Sequence, residues 1–198
     1  MGVKERVRNA RDAHLLRGAG VNAAVFERAM LKYPPGHTKD SSSYPISQAI
    51  YSLIRLIQPS HVVEVGTFEG ATSIWIARAI EENNRGSFTG YEIQPELANT
   101  ARTNLEAAVP GGRWDIKTMN VLEEPYIETD FLFLDCEKTL YPAAMSKCLI
   151  PINGYVIAHD TVSWPAAAQF YRYLRSFNEY EVTNIHSEQG LMIARKVM

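Results

Sequence analysis

A chain of 198 residues has the length of one ordinary domain. Hydrophobic residues make up 46% and charged residues 21%, which supplies a real core and argues against intrinsic disorder. The 20 basic and 22 acidic residues leave a formal charge of −2, so no bulk attraction to nucleic acid or an anionic membrane is expected. Two cysteines, Cys136 and Cys148, are too few for a disulfide scaffold and form no zinc-binding pattern. They read as bystanders in a reducing, cytoplasmic setting. The basic residues Lys4, Arg6, Arg8, Arg11 and Arg17 precede no apolar run, so no secretory signal is expected. No stretch approaches the ~20 apolar residues of a membrane-spanning helix.

In chain order, residues 3–33 read as helical, broken near Gly18-Ala19-Gly20, with Asn22 as the cap of a second piece. Residues 36–43 read as a polar loop by composition. Apolar residues at 46, 49, 50, 53, 54 and 57 predict a helix that Pro59 stops. From residue 61 strands and helices alternate. Strands are predicted at 62–65, 87–91, 114–118, 130–134 and 154–158, and helices at 71–82, 95–108, 140–149 and 165–177. Two closing strands, 180–185 and 191–195, are joined by a turn too short for a crossover helix, so they pair as an antiparallel hairpin. The expectation is an α/β fold. It has a doubly wound, seven-stranded, mostly parallel sheet with a C-terminal antiparallel hairpin and an N-terminal helical extension. Residues 1–198 are taken as one domain, with N-terminal helices and a lid in 1–57 and the α/β core in 58–198. Ligands of such sheets bind at the carboxyl ends of the strands.

The first strand runs through Glu64 into Gly66-Thr67-Phe68-Glu69-Gly70 and then Ala71-Thr72-Ser73. Two glycines around a turn into a helix N-terminus suit the approach of a ligand. The spacing is G-x-x-x-G, not the dinucleotide G-x-G-x-x-G, and an ordinary strand-to-helix turn has the same pattern. Glu64 is a carboxylate in a strand of valines, costly to bury without a partner. The second strand ends in Glu92-Ile93, where a carboxylate can accept ribose hydroxyls. Asn120, after the third strand, can read a base edge or cap the next segment.

These residues resemble the class I S-adenosylmethionine-dependent methyltransferases over roughly residues 40–198. The stretch from Val62 to Gly70 is similar to that family's first motif, and Glu92 falls where the family binds ribose. The resemblance implies a Rossmann-like methyltransferase fold. It also implies a cofactor site at Glu64, Gly66, Thr67, Phe68, Gly70, Thr72, Ser73, Glu92, Ile93, Asn120 and Asp135. The fourth strand leads into Asp135-Cys136-Glu137-Lys138-Thr139-Leu140-Tyr141, and the fifth into His159-Asp160-Thr161. The first segment is similar to the catechol and caffeoyl-CoA O-methyltransferases. The His-Asp pair also resembles methyltransferases of macrolide sugars. In the catechol group two aspartates and an asparagine hold magnesium or another divalent ion. Here that implies Asp135, Asp160 and Thr161, with threonine standing where asparagine is expected.

The chemistry asks for the same residue types. Hard cations want oxygen ligands, and a bound cation lowers the pKa of a substrate hydroxyl. A lysine of lowered pKa can take its proton. Lys138 is the first candidate base and His159 the second, with Asp135 beside them. The leading expectation is O-methylation of a small hydroxylated molecule, with the N-terminal helices and the 34–43 loop walling the acceptor pocket. Trp164, Tyr171 and Tyr173 are candidate residues of a homodimer surface. The alternatives are a nicotinamide-dependent oxidoreductase and a non-catalytic nucleotide-binding protein that kept the fold. No basic stripe suggests a nucleic-acid substrate.

Overall fold

The computed structural model describes residues 44–198, all of which lie in the compact unit Ser41–Met198. The expected helices at 3–33, the 36–43 loop and the lid lie outside the described residues. The first described helix, α1 (Tyr44–Ile57), buries Ile46, Ile50 and Ile54, the stripe its spacing predicted. It packs on α2 (Ala71–Asn83), where Tyr51 meets Trp75 edge-on at 5.7 Å.

The strands of the main sheet are β1 (His61–Val65), β2 (Ser87–Glu92), β3 (Trp114–Thr118), β5 (Phe131–Leu134), β7 (Tyr155–His159), β8 (Tyr180–Ile185) and β9 (Leu191–Lys196). Their order is β3-β2-β1-β5-β7-β9-β8. Every pair is parallel except β7–β9 and β8–β9. The seven-stranded sheet with its antiparallel hairpin is therefore as expected. α3 (Pro95–Ala108) has the predicted bounds, and α5 (Pro165–Arg175) ends two residues early. There Ser176 and Phe177 donate to Tyr173 and Leu174, i→i−3 bonds that tighten the last turn.

One predicted element is corrected. Residues 140–149 do not form one helix. A 3₁₀ turn (Lys138–Leu140) leads into the short helix α4 (Tyr141–Ser146), and then β6 (Cys148–Leu149) pairs with β4 (Ile127–Glu128) as a small parallel ladder. Ile150 precedes Pro151, which favours extended backbone at that point.

Alternation along the strands gives the sheet two buried faces. Val63, Val65, Leu132, Leu134, Val156 and Ala158 share a core with Tyr141 of α4 and Phe170 and Leu174 of α5. Val62, Phe131, Phe133 and Ile157 are equally buried and face the other way. Glu64 shares that second face, where Ser73 of α2 donates to it. On α5, Trp164 and Tyr173 are exposed. Among the described residues no helix is long and apolar enough to cross a membrane.

The register sets the level of the site. Val65 stands opposite Tyr91 and Leu134, and Leu134 opposite Ala158. Gly66, Glu92, Asp135 and His159 therefore share one rim at the carboxyl ends of four neighbouring strands. The switch in chain direction falls between β1 and β5, the crevice where open sheets bind ligands.

The two glycines of the β1–α2 turn answer first to the protein's own packing. Gly66 has φ +96°, and a Cβ there would lie 2.5 Å from the Asp135 carbonyl oxygen. Gly70 has φ +86°, and its Cβ would meet Leu105 at 2.9 Å. Gly66→Ala should cost at least about 1–3 kcal/mol, the range for a strained backbone position, before the clash is added. Urea unfolding of the variant checks this.

Candidate active site

On the rim, four side chains from β5, β7 and the 3₁₀ turn meet. Lys138 Nζ lies 3.1 Å from Asp135 Oδ1 and 3.0 Å from Asp160 Oδ2. His159 Nδ1 lies 2.9 Å from Asp135 Oδ1 and 3.8 Å from Asp160 Oδ2. Ser163 Oγ donates to Asp160 Oδ1 at 2.9 Å. Sequence reasoning brought forward Asp135, Lys138, His159 and Asp160, and the fold unites all four. It missed Ser163, whose signal was its place three residues after Asp160, a common local side-chain pairing.

Local structure fixes each member. Glu137 caps the 3₁₀ turn by accepting from the Thr139 N–H and hydroxyl, which sets Lys138 three residues from Asp135. Lys138 Nζ stands 5.7 Å from the centre of the Tyr141 ring. Tyr141 is itself buried, and its hydroxyl donates to the His159 carbonyl at 3.3 Å. Asp160 has φ +60°, a left-handed conformation that aspartate tolerates better than most residues. Around it, the Val162 and Ser163 N–H groups donate to the Gln189 carbonyl in the β8–β9 turn, and Trp164 N–H donates to the Asp160 carbonyl.

Burial opposes the charge on Lys138, but the two carboxylates outweigh it and hold its pKa above the ordinary lysine value. Lys138 is thus an ammonium, not a lysine made basic by a lowered pKa. Burial likewise opposes a charged imidazole, and the Asp135 bond more than offsets it, so His159 is raised above 6.5. His159 is buried, and its Nε2 has no hydrogen-bond partner among the described residues. Burial pushes the Cys136 thiol up to about 12 and Cys148 likewise, consistent with inert cysteines.

A divalent ion was expected on Asp135, Asp160 and Thr161. Asp135, His159 and Asp160 do bring ligand atoms within 4.8 Å of one another. Thr161 is engaged elsewhere: its hydroxyl donates to Asn184 Oδ1 of β8 at 2.7 Å. The space between the carboxylates is taken by the Lys138 ammonium. At an effective dielectric of 20, a unit pair at 4 Å interacts by ~4 kcal/mol, so a divalent ion beside that ammonium would be repelled by roughly 8 kcal/mol. With Lys138 in place, these residues do not fit a resident divalent ion.

The other half of the rim is built from β1, β2 and the glycine turn. Glu92 is buried, and its carboxylate accepts Phe68 N–H at 2.8 Å and Gln94 N–H at 3.0 Å. Each oxygen keeps a lone pair for a ligand hydroxyl, so this donor set suits a ribose diol. Phe68 is held at φ +51° and Ile93 is exposed beside Glu92. Thr67 Oγ1 is buried without a partner among the described residues. Thr72 and Ser73 are also buried: Thr72 pairs with Ser47 of α1 at 3.0 Å, and Ser73 donates to Glu64. Of the two roles open to Asn120, its side chain takes the cap, accepting Leu122 N–H at 3.0 Å. An open cavity of about 560 Å³ lies at the opposite, amino ends of the strands, beside His61, Asp130 and Lys196, away from this chemistry.

A family model described as a methyltransferase domain matches residues 63–161, half of the chain, and the chain belongs to that family. The match runs from β1 to the residue after Asp160. A catechol O-methyltransferase of Niastella koreensis is 30% identical over 118 residues, covering 56% of this chain and 52% of the relative. One from Bos taurus is 28% identical over 153 residues, covering 71% and 55%. The chain thus spans about half the length of the curated relatives it matches. In fold it is similar to an O-methyltransferase from Bacillus cereus solved in complex with SAH. The TM-score is 0.69 at 19% identity, covering 87% of this chain and 89% of that one.

Glu64 gives a test of this electrostatic picture. Complete burial raises its pKa well above the ordinary value, the Ser73 bond lowers it, and the charges of Asp135 and Glu92 raise it further. A raised carboxyl pKa stabilises the fold below the unfolded value of ~4.5, and that stability is lost as pH rises through the folded value. Glu64→Gln removes this loss. The variant's stability relative to wild type should be higher at pH 8 than at pH 4.5 by ~1 kcal/mol or more, measured by denaturant unfolding at both pH values.

Proposed function

We propose that this chain is an S-adenosylmethionine-dependent O-methyltransferase acting on a hydroxyl of a small molecule. The observation that carries the reading is the cluster of Asp135, Lys138, His159 and Asp160, on the same rim as the glycine turn and Glu92. The catechol O-methyltransferases among the relatives support a hydroxylated acceptor. S-adenosylmethionine would supply a methyl group on a positively charged sulfur. Glu92 would accept the ribose hydroxyls, and the turn from Gly66 to Gly70 would lie against the rest of the cofactor. The protein's task is to align donor and acceptor and to exclude water.

Lys138 faces the acceptor oxygen as an ammonium and favours its ionised form. The base role moves away from Lys138, because its two carboxylate partners keep it protonated. His159 receives the acceptor's proton, and Asp135, bonded to its Nδ1, orients the ring and favours its charged form. The missing G-x-G-x-x-G counts against a nicotinamide cofactor.

Glu92→Ala should weaken S-adenosylmethionine binding by about 1–3 kcal/mol, the cost of removing a hydrogen-bonding partner. Calorimetric titration of the folded variant measures it, and unchanged affinity removes Glu92 from the ribose role. His159→Asn should lower turnover by roughly 10²-fold, within the usual range of proton-transfer catalysis. The proton-accepting pair works only when deprotonated, so wild-type activity should fall as pH drops through a value above 6.5. The variant's pH–rate profile should lack that limb.

A further inference from the structure

Two carboxylates at adjacent strand ends need a positive charge between them, and this chain carries one covalently. Lys138 touches both, at 3.1 Å and 3.0 Å. The remaining Asp160 oxygen takes Ser163, and Asp135 Oδ1 also meets His159. Thr161, the residue that would offer a third oxygen, is bonded to Asn184.

Lys138 is not a surface lysine that happens to reach the pair. Its side chain is 13% exposed, it stands over the Tyr141 ring, and it leaves a 3₁₀ turn capped by Glu137. Tyr141 is anchored in turn to the backbone of His159. The ammonium is therefore held from below and from both sides. Charge follows the same logic. Two aspartates and one lysine sum to −1, so the ammonium removes half of the charge that would draw in a divalent ion.

We propose that Lys138 is a built-in cation that takes the place of a divalent metal between Asp135 and Asp160. What the cation does for catalysis rests on the methyltransfer reading. Its occupancy of the site does not, and is tested without turnover.

The test is Mn²⁺ binding to the metal-stripped full chain at pH 7.5, followed by electron paramagnetic resonance. Lys138→Ala should bind one Mn²⁺ per chain at least tenfold more tightly than wild type. Adding Asp160→Asn to that variant should abolish the gain. A ratio below ten, or wild type binding as tightly as the variant, overturns the proposal. If Lys138→Ala does not fold by circular dichroism, Lys138→Met keeps the apolar stem over Tyr141 and is judged by the same ratio. Failure of the methyltransfer reading would show separately, as no S-adenosylmethionine binding to wild type, and would leave the Mn²⁺ ratio unchanged.

Discussion

Asp135 and Asp160 cannot both stay ionised on neighbouring strand ends unless something positive lies between them. Adjacent strands are about 4.8 Å apart, and the β5–β7 register, which ends with Leu134 opposite Ala158, leaves Asp160 one residue beyond the level of Asp135. The surrounding structure is organised around that constraint. The 3₁₀ turn brings Lys138 back over the rim, Glu137 caps the turn, and Tyr141 supports the lysine from the core. The left-handed backbone of Asp160 and its bond from Ser163 aim the second carboxylate at the same ammonium. The β8–β9 hairpin closes the arrangement through Gln189 and Asn184.

Four acidic residues on the rim or just beneath it have different surroundings. Glu64 is fully buried beside a single hydroxyl, and burial favours its neutral form. Glu92 accepts two backbone N–H groups, a setting that suits an acceptor of hydroxyl hydrogen bonds. Asp135 and Asp160 share a lysine. A sulfonium ligand lying from Glu92 toward Asp135 would meet negative charge at both ends, and an acceptor oxygen beyond it would meet Lys138. On the proposed reading, the rim would hold the cofactor on the Glu92 side and the acceptor on the Lys138 side.

Much of this was legible in the sequence. Outside residues 140–149, strand and helix bounds from 61 onward followed from apolar periodicity and from glycine and proline punctuation, and strand-end placement drew attention to Glu92, Asp135, Lys138 and Asp160. The less legible parts depended on three-dimensional partners. A lysine near aspartates can be a base or a fixed cation. Only the distances to both carboxylates decide, because a single salt bridge and a shared one have the same spacing in sequence. Thr161 pairs with Asn184, 23 residues away, across the end of the sheet. The short ladder of β4 with β6 escaped notice because two-residue strands carry no period. The glycines of the first turn were legible as a turn, but the neighbour they make room for, the Asp135 backbone, was not.

The most direct measurement is transfer of a labelled methyl group from S-adenosylmethionine to hydroxylated small molecules by the chelator-treated chain. The expected result is a labelled methyl ether, formed at the same rate with or without EDTA, because Lys138 already supplies the positive charge. Transfer that stops in EDTA and returns with magnesium would contradict the built-in cation. Absence of transfer to any hydroxylated acceptor, from a chain shown to be folded, would contradict the reading of the site itself.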